Sequence, residues 1–265
     1  MRYWPALLTG TIIPNAQALG RLIDPSQREQ QYLATLTWMA AAATGVDKVV
    51  FCENSSAGLE AFERFPALYS KYGRTIEIKK VPMPQNEDFR GKGWGEGMII
   101  RWALDNAKTL NEPKSFVKIT GRHQVLNLSR ILTVIRQGLE TYPEIKFICQ
   151  TFSCSRCISS VIGPVINTEF FWSDRDFFQQ YLVDAYEEVD DREGIYFEHV
   201  LARRLIELSG RFEFGVLPLP VIIRGVWGYN AKPVTPRIKR VKELIRQTVY
   251  PLPRLKRLAI SPNSL

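Results

Sequence analysis

Strand-like apolar runs alternate with segments of helical periodicity over the first 150 residues. Between the first two runs, the apolar positions from Tyr32 to Met39 fall on one face of a predicted helix, which Asp24 or Ser26 is suited to cap. The strand-like runs are residues 7–13, 48–54, 75–82, 115–122 and 144–150, and the later helical segments are residues 59–69, 94–110 and 126–142. This alternation predicts βαβ units and a mostly parallel, doubly wound sheet of the α/β class.

The alternation loosens after residue 149. Strand-like runs at residues 160–166 and 169–173 lie around a turn, and helical segments follow at residues 174–187 and 197–208. No convincing linker separates them. We therefore expect a single α/β domain over residues 1–231, with an elaborated C-terminal half, followed by a basic helical tail over residues 232–265.

The net charge of +8 belongs to this tail. Residues 232–265 contain nine Lys and Arg residues and a single acid, Glu243, so residues 1–231 are neutral overall. A neutral body does not support a nucleic-acid cleft, and we expect no nucleic-acid partner. No apolar run reaches the ~20 residues needed to span a bilayer, and the apolar patch near the start is too short for a signal peptide. We expect a cytoplasmic protein.

Cysteine spacing offers one weak metal signal. Cys154 and Cys157 form a C-x-x-C pair, whereas the other two cysteines lie in strand-like runs. His123 and His199 are not at metal-ligand spacing from this pair, and a structural zinc site needs four ligands. We expect reduced thiols and no metal held by cysteine.

Small or polar residues follow three of the predicted strands. They are Thr9-Gly10-Thr11, Glu53-Asn54-Ser55 and Thr120-Gly121-Arg122. The carboxyl ends of parallel strands meet at one edge of the sheet, where doubly wound folds bind ligands. The sequence therefore predicts a ligand site at this edge, although each group alone is also typical of a βα turn.

The densest glycine cluster is GKGWGEG at residues 91–97, with four glycines in seven residues just before a predicted helix. Glycine lets backbone N–H groups approach a ligand closely. Lys92 adds a cation, Trp94 a ring for stacking on a base or sugar, and Glu96 an acceptor for sugar hydroxyls. The alternatives are a flexible turn and, for Glu96, complementation of the helix dipole. We favour a ligand-binding loop.

Two cations lie in or next to a predicted core strand. Lys118 falls inside the strand and Arg122 follows it directly after Gly121. A cation in a core strand is costly unless it finds a partner. The partner is either an acid, with Glu53 and Glu96 as candidates, or an anionic ligand such as a phosphate.

Acidic residues are concentrated in DDREGIYFEH, residues 190–199, just before a predicted helix. Such a cluster is commonly a solvated loop with helix-capping acids. Alternatively, a Glu at a helix start above the sheet is suited to act as a general base. The D-x-D at residues 174–176 also opens a helix, and capping explains it.

Five stretches, LLTGTIIP, DKVVFCENS, GKGWGEG, FVKITGRH and DDREGIYFEH, occur in the order and spacing of a family of bacterial glycosyltransferases. Over roughly residues 5–205 the chain resembles these enzymes, which build lipopolysaccharide, O-antigen or capsule. The resemblance implies the Rossmann-like GT-A fold. It also implies a nucleotide-sugar donor and a hexosyltransferase-like activity toward a cell-surface glycan or lipid-linked acceptor.

Members of this family usually carry an acidic D-x-D after the fourth strand, where it holds a divalent metal on the donor diphosphate. Here that place reads KITGR. The resemblance then implies that Lys118 and Arg122 neutralise the diphosphate, with Arg able to grip it through two hydrogen bonds. This departure from the family pattern leaves metal dependence open, with Asp190 and Asp191 as the candidate ligands for Mg²⁺ or Mn²⁺.

The segment FEHVLARR resembles the element of inverting transferases whose acid deprotonates the acceptor hydroxyl. By that match Glu198 is the catalytic base, with Asp191 as the reserve candidate, and attack passes through an oxocarbenium-like transition state. The residues expected to bind the donor are Thr9, Gly10, Thr11, Glu53, Asn54, Lys92, Gly93, Trp94, Glu96, Lys118, Thr120 and Arg122.

In the tail, apolar residues recur at helical spacing from Ile238 to Val249, with cations between them. A basic amphipathic helix is suited to an anionic membrane face, so we expect peripheral association with the inner membrane, where lipid-linked acceptors are presented. The alternative is a solvated helix that packs on the body.

Two other functions stay open. The first is a nucleotidyl- or phosphotransferase on the same sheet, which would need a metal. The second, less favoured, is a nucleic-acid-binding protein that uses the basic tail.

Overall fold

The computed structural model describes residues 4–14, 24–83, 90–150, 152–158, 161–226, 232–249 and 254–258. Its helices are α1 (Pro25–Ala41), α2 (Phe65–Lys71), α3 (Lys92–Asn106), α4 (Lys108–Asn111), α5 (Leu128–Thr141), α6 (Arg175–Tyr181), α7 (Phe197–Leu208) and α8 (Arg237–Val249). Its strands are β1 (Ala6–Gly10), β2 (Lys48–Glu53), β3 (Thr75–Lys80), β4 (Ser115–Thr120), β5 (Gln124–Val125), β6 (Ile145–Cys149), β7 (Phe152–Ile158), β8 (Val161–Ile166), β9 (Phe170–Asp174), β10 (Glu213–Val216), β11 (Ile223–Arg224) and β12 (Lys256–Arg257).

Eight of the described strands form one sheet in the order β12-β10-β6-β9-β4-β1-β2-β3. Neighbours from β4 to β3 are parallel, and so are β6 and β10. β9 lies between β4 and β6 and runs antiparallel to both, and β12 adds an antiparallel edge beside β10. The predicted α/β fold with a mostly parallel, doubly wound sheet is confirmed.

Each face of the sheet packs against its own hydrophobic core, as helices on both sides require. In β4, Val117 and Ile119 belong to the core that includes residues of α1 and α5, whereas Phe116 belongs to the core of α3 and α7. This alternation follows from the period of two along a strand. By the same alternation Lys118 lies on the face of Phe116, toward α3, and its side chain is 0% exposed.

Several predicted elements have the expected bounds. Asp24 caps α1, because its carboxylate accepts a hydrogen bond of 2.9 Å from the N–H of Ser26, and Pro25 occupies the first helical turn. α7 spans the predicted Phe197–Leu208. The strand-like run at 160–166 is β8, but it pairs with β7 in a hairpin outside the main sheet rather than with β9. The apolar pattern did not predict β7 or β10.

The described part of the tail contains the predicted amphipathic helix, α8. After it the chain returns to the body, where β12 pairs with β10 and Leu255 is buried against Gly138 and Gly215. Residues 250–253 and 259–265 lie outside the described ranges, and the division of the chain at residue 231 stays a prediction. Among the helices described, none combines the length and hydropathy needed to cross a membrane.

Candidate functional site

The predicted strand ends meet at one edge of the sheet. β1 lies between β2 and β4, with Thr9 opposite Thr120 in the β1–β4 register. The N–H of Gly121 donates to the carbonyl of Thr9 (2.9 Å), and that of Asn54 donates to the carbonyl of Gly10 (3.2 Å). A Cβ atom on Gly121 would lie 2.7 Å from the Thr9 carbonyl oxygen, so only glycine fits there.

The cluster at residues 91–97 is not a loop, which corrects the sequence-based expectation. α3 begins at Lys92, and Gly91 is its N-cap with a φ of 116°. A Cβ on Gly93 would lie 3.0 Å from the Cβ of Phe197, and one on Gly97 would overlap the Cβ of Tyr186. These two glycines therefore let α3 pack closely against neighbouring segments.

Trp94 does not reach the surface as expected for a stacking platform. It is 7% exposed, and its ring makes an edge-on contact with Tyr186 at 6.2 Å between centroids. Lys92, by contrast, is exposed at the start of α3. Burial raises the pKa of Asp191 and of Glu169, and the positive charge of Lys92 acts against both rises. Lys92 stays a candidate for contact with an anionic ligand.

Lys118 has an acid as its partner. Its ammonium forms an ion pair with the buried carboxylate of Glu96 and also donates to the carbonyl of Thr168 (2.7 Å) and the hydroxyl of Thr120 (3.3 Å). Burial alone raises the pKa of Glu96, but Lys118 and Lys92 outweigh it and hold that pKa below its ordinary value. The expectation that Lys118 meets the donor diphosphate directly is replaced by the acid-partner alternative.

Arg122 has a different environment. Its side chain is 4% exposed, and one terminal nitrogen donates to the side chain of Gln31 and to the carbonyl of Val226, each at 3.3 Å. Its Nε atom is buried without a hydrogen-bond partner. Among the described residues, no carboxylate forms an ion pair with this guanidinium. A buried cation without a counter-charge is unfavourable until an anion joins it.

A second guanidinium lies near Arg122. Arg28 donates from Nε to the carbonyl of Thr11 (2.7 Å). Burial is the main reason that the pKa of Arg28 is lowered, and the charge of Arg122 lowers it further. Two guanidinium groups, of Arg28 and Arg122, therefore influence each other at the carboxyl end of β4.

The remaining predicted donor residues hold one another in place. The hydroxyl of Thr11 donates to the side-chain oxygen of Asn54 (2.6 Å), and that of Thr9 donates to Glu96 (3.3 Å). Glu53 is fully buried and accepts from the N–H of Ile12 (2.9 Å) and from Lys80 (2.5 Å). The carboxylate of Glu53 thus fixes the backbone after β1, and these hydrogen bonds go to groups of the protein itself.

Asp191 reaches the start of α3 from another segment. Its Oδ2 accepts from the N–H of Gly93 (3.1 Å), and its Oδ1 is buried without a partner. Burial raises the pKa of Asp191 to about 6; the charge of Glu198 also raises it, whereas the Gly93 N–H and Lys92 act in the opposite direction. Asp191 thereby supplies the cap that Gly91 lacks.

Glu198 lies in the first turn of α7 and is half-buried. Its Oε1 accepts a hydrogen bond from the hydroxyl of Thr168 (3.1 Å). Because Thr168 also accepts from Lys118, the two candidate residues are joined through one threonine. The structure therefore brings Glu198 and Asp191 to the same edge as the ends of β1 and β4.

Asp190 and Asp191 do not form a shared metal site. Both oxygens of Asp190 accept from the guanidinium of Arg192, at 2.8 and 2.5 Å, whereas Asp191 is directed at α3. Within the described ranges, no group of three or more His, Cys, Asp or Glu side chains is placed to hold an ion. As placed here, Asp190 and Asp191 do not together form the site for Mg²⁺ or Mn²⁺ that the sequence left open.

A second pair of titratable groups at this edge was not predicted from the sequence. The Oε1 of Glu169 lies 3.7 Å from the Nδ1 of His123, and neither atom has a hydrogen-bond partner. Burial raises the pKa of Glu169, and burial together with Arg122 lowers that of His123 well below its ordinary value. Glu169 enters the site because β9 pairs with β4, a contact that the strand-like run at 169–173 does not reveal by itself.

No protein-family model matches the chain, and no curated protein matches it in sequence. Solved structures with some similarity include mouse xyloside xylosyltransferase 1 (8% identity over 80% of this chain and 85% of that one, TM-score 0.45). A cytidylyltransferase from Leptospira borgpetersenii serovar Hardjo-bovis has 12% identity over 80% and 74%, with a TM-score of 0.42. A mannose-1-phosphate geranyltransferase from Thermus thermophilus has 13% over 77% and 68%, with a TM-score of 0.35. Such distant similarity assigns neither a family nor an activity.

Proposed function

We propose that this protein is a glycosyltransferase that takes a sugar from a nucleotide-sugar donor, and that Arg122 binds the donor diphosphate. One observation carries the proposal. Arg122 is a buried guanidinium at the carboxyl end of β4, without an acidic partner among the described residues and with an unsatisfied Nε. A diphosphate supplies both the missing charge and the missing acceptor, and guanidinium geometry matches it.

Departure of the nucleotide places negative charge on the diphosphate. Arg122, which directly follows β4, and the exposed Lys92 at the start of α3 would stabilise that charge in the transition state. The Lys118–Glu96 pair has a supporting role: it is internally neutral and connects Thr9, Thr120 and Thr168 in one hydrogen-bonded group. In this proposal Arg122 and Lys92 contact the diphosphate, and Lys118, which the sequence assigned to the diphosphate, supports the site through Glu96.

Glu198 is the proposed base. It is half-buried at the start of α7. Within the residues that the structure describes, one side-chain hydrogen bond, from the hydroxyl of Thr168, orients its carboxylate. It would take the proton of the attacking acceptor hydroxyl in an inverting reaction with an oxocarbenium-like transition state. Asp191 is the reserve candidate, but its bond to Gly93 supports a positioning role at the start of α3.

The resemblance seen in the sequence supports a bacterial setting for this reaction. The acceptor would be a lipopolysaccharide, O-antigen or capsular glycan, or its lipid-linked precursor, and the transferred unit a hexose. The enzyme would work in the cytoplasm. The alternatives of nucleotidyl or phosphoryl transfer differ from this proposal in the bond that breaks, which makes the products decisive.

The test combines binding with product analysis. Thermal unfolding is followed with UDP, GDP and CMP, with and without EDTA, and the protein is then incubated with a panel of nucleotide sugars. Stabilisation by UDP or GDP, and release of that nucleoside diphosphate and free sugar from its sugar conjugate, support the proposal. Stabilisation by CMP alone would contradict it, because a CMP-sugar donor carries no diphosphate. No stabilisation by any of them, or release of pyrophosphate from a nucleoside triphosphate and a sugar phosphate, would overturn it.

A further inference from the structure

A stripe of aliphatic side chains is exposed on α8. Ile238 is 72% exposed, Val241 50% and Ile245 58%. Their spacing of three and four residues places them on one face of the helix. Only three other large hydrophobic residues of the described chain are exposed, and they lie far apart in the sequence at Ile13, Tyr72 and Ile195. The stripe is therefore the main concentration of exposed apolar surface in the described residues.

Cations flank this stripe. Arg237, Lys239 and Lys242 are exposed, and the helix carries five Lys and Arg residues against the single acid Glu243. Lys242 follows Ile238 by four residues and Arg237 precedes Val241 by four, so cations lie next to the aliphatic stripe. Long basic side chains at such positions reach past an apolar surface toward negative charge.

Segments on both sides of α8 pack on the body of the protein. Before the helix, Thr235 is buried and its hydroxyl accepts from the N–H of Ile223 (3.2 Å). After it, β12 pairs with β10, and Leu255 is buried. The exposed face of α8 therefore lies between two segments of the tail that are packed on the folded body.

We infer that α8 lies on an anionic lipid membrane, with Ile238, Val241 and Ile245 inserted among the acyl chains and the flanking cations at the headgroups. A bilayer with anionic headgroups offers both apolar depth and negative charge in one surface, which matches this face. A nucleic acid would use the cations but leave the aliphatic stripe in water. This inference does not depend on the proposed transferase function.

The test is co-sedimentation of the full chain with vesicles. We expect binding to phosphatidylcholine mixed with phosphatidylglycerol, background binding to phosphatidylcholine alone, and release by added NaCl. The triple variant Ile238→Ser, Val241→Ser, Ile245→Ser should bind the mixed vesicles at least about tenfold more weakly with an unchanged melting temperature.

Charge is tested with a matched pair of variants. The triple variant Arg237→Gln, Lys239→Gln, Lys242→Gln should no longer bind the mixed vesicles. The control triple variant Lys71→Gln, Lys108→Gln, Lys114→Gln removes the same charge from exposed positions elsewhere and should still bind the vesicles. Equal losses in both triple variants, or full binding by the serine variant, would overturn the inference. The absence of vesicle binding by the wild type would also overturn it. In that case, a wild-type dimer that becomes monomeric in the serine variant would show that the stripe is a dimer contact. Binding of nucleic acid would assign the cations of the tail to that partner.

Discussion

The ammonium of Lys118 and the carboxylate of Glu96 form an ion pair inside the protein, between β4 and α3. Four residues after Lys118, the guanidinium of Arg122 is equally inaccessible, yet no acid of the described residues pairs with it. The two cations of the KITGR segment therefore do different work. Lys118 completes the scaffold, and Arg122 is left with charge and a donor group for an anionic ligand.

Loss of Lys118 should destabilise the protein. Lys118→Met leaves Glu96 as an uncompensated buried charge, which costs about 3–5 kcal/mol of unfolding free energy. The double variant Lys118→Met, Glu96→Gln should recover much of that loss, because no buried charge remains. Urea unfolding measures both, with the exposed Lys114→Met as the control. Equal stability of Lys118→Met and the wild type would show that the pair is not formed.

The glycines of α3 should resist even the smallest substitution. Gly97→Ala puts a Cβ atom into the space of the Tyr186 Cβ, so α3 has to move, at a cost of about 1–3 kcal/mol. Gly210→Ala is the matched control, because a Cβ there meets nothing within 4 Å. Thermal unfolding should show a lower melting temperature for Gly97→Ala alone. A similar melting temperature for both variants would restore the interpretation of residues 91–97 as a loop.

Asp191 should make the protein less stable as the pH rises. Its pKa in the folded protein is about 6, above the ordinary 3.8, so the fold favours the protonated form. The resulting stability is fully present below about pH 4 and is lost as the pH rises through 6, by about 2–3 kcal/mol in total. Asp191→Asn should remove this loss, so its stability relative to the wild type should increase from pH 4 to pH 7.

The control for this pH effect is Asp190→Asn. The hydrogen bond from Arg192 lowers the pKa of Asp190, so its contribution has the opposite sign and is lost as the pH falls. Thermal unfolding at a series of pH values compares both variants with the wild type. A constant difference between Asp191→Asn and the wild type would mean that the Asp191 carboxyl titrates as it does in the unfolded chain.

The base can be identified by comparing Glu198→Gln with Asp191→Asn. If Glu198 removes the acceptor proton, Glu198→Gln should lower kcat by about 10²- to 10⁴-fold and leave nucleotide affinity unchanged. Asp191→Asn should have a smaller effect on kcat, since Asn can still accept from Gly93. Release of nucleotide from the donor found in the screen measures both rates. Near-normal turnover by Glu198→Gln, with a large loss in Asp191→Asn, would transfer the role to Asp191.

Much of the fold could be predicted because local patterns determine it. Apolar runs alternating with amphipathic helices define a parallel sheet, and the sheet gathers Thr9, Asn54 and Thr120 at one edge. The insertion of β9 between β4 and β6 could not be predicted, because strand order depends on contacts that are distant in sequence. For the same reason Glu169 was missed.

The sequence predicts most residues of the candidate site, but not the role of each residue. The sequence left the partner of Lys118 open between an acid and a phosphate, and only the distance across to α3 decides that Glu96 is the partner. Four glycines in residues 91–97 have the composition of a loop, yet α3 begins at Lys92 and contains three of them. Phe197 and Tyr186 pack where side chains on Gly93 and Gly97 would be. Such packing comes from segments about 90 to 105 residues away in the chain.

The most direct test of the central claim is calorimetric titration of the nucleotide found in the screen into the wild type, Arg122→Gln and Arg224→Gln. Arg224 is exposed and donates to Gln124, so its variant removes an equal charge from a neighbouring strand. We predict that Arg122→Gln weakens binding about 10- to 100-fold, as expected for a lost charge-assisted hydrogen bond, without lowering the melting temperature, whereas Arg224→Gln binds like the wild type. Wild-type affinity in Arg122→Gln would contradict the claim that Arg122 binds the diphosphate.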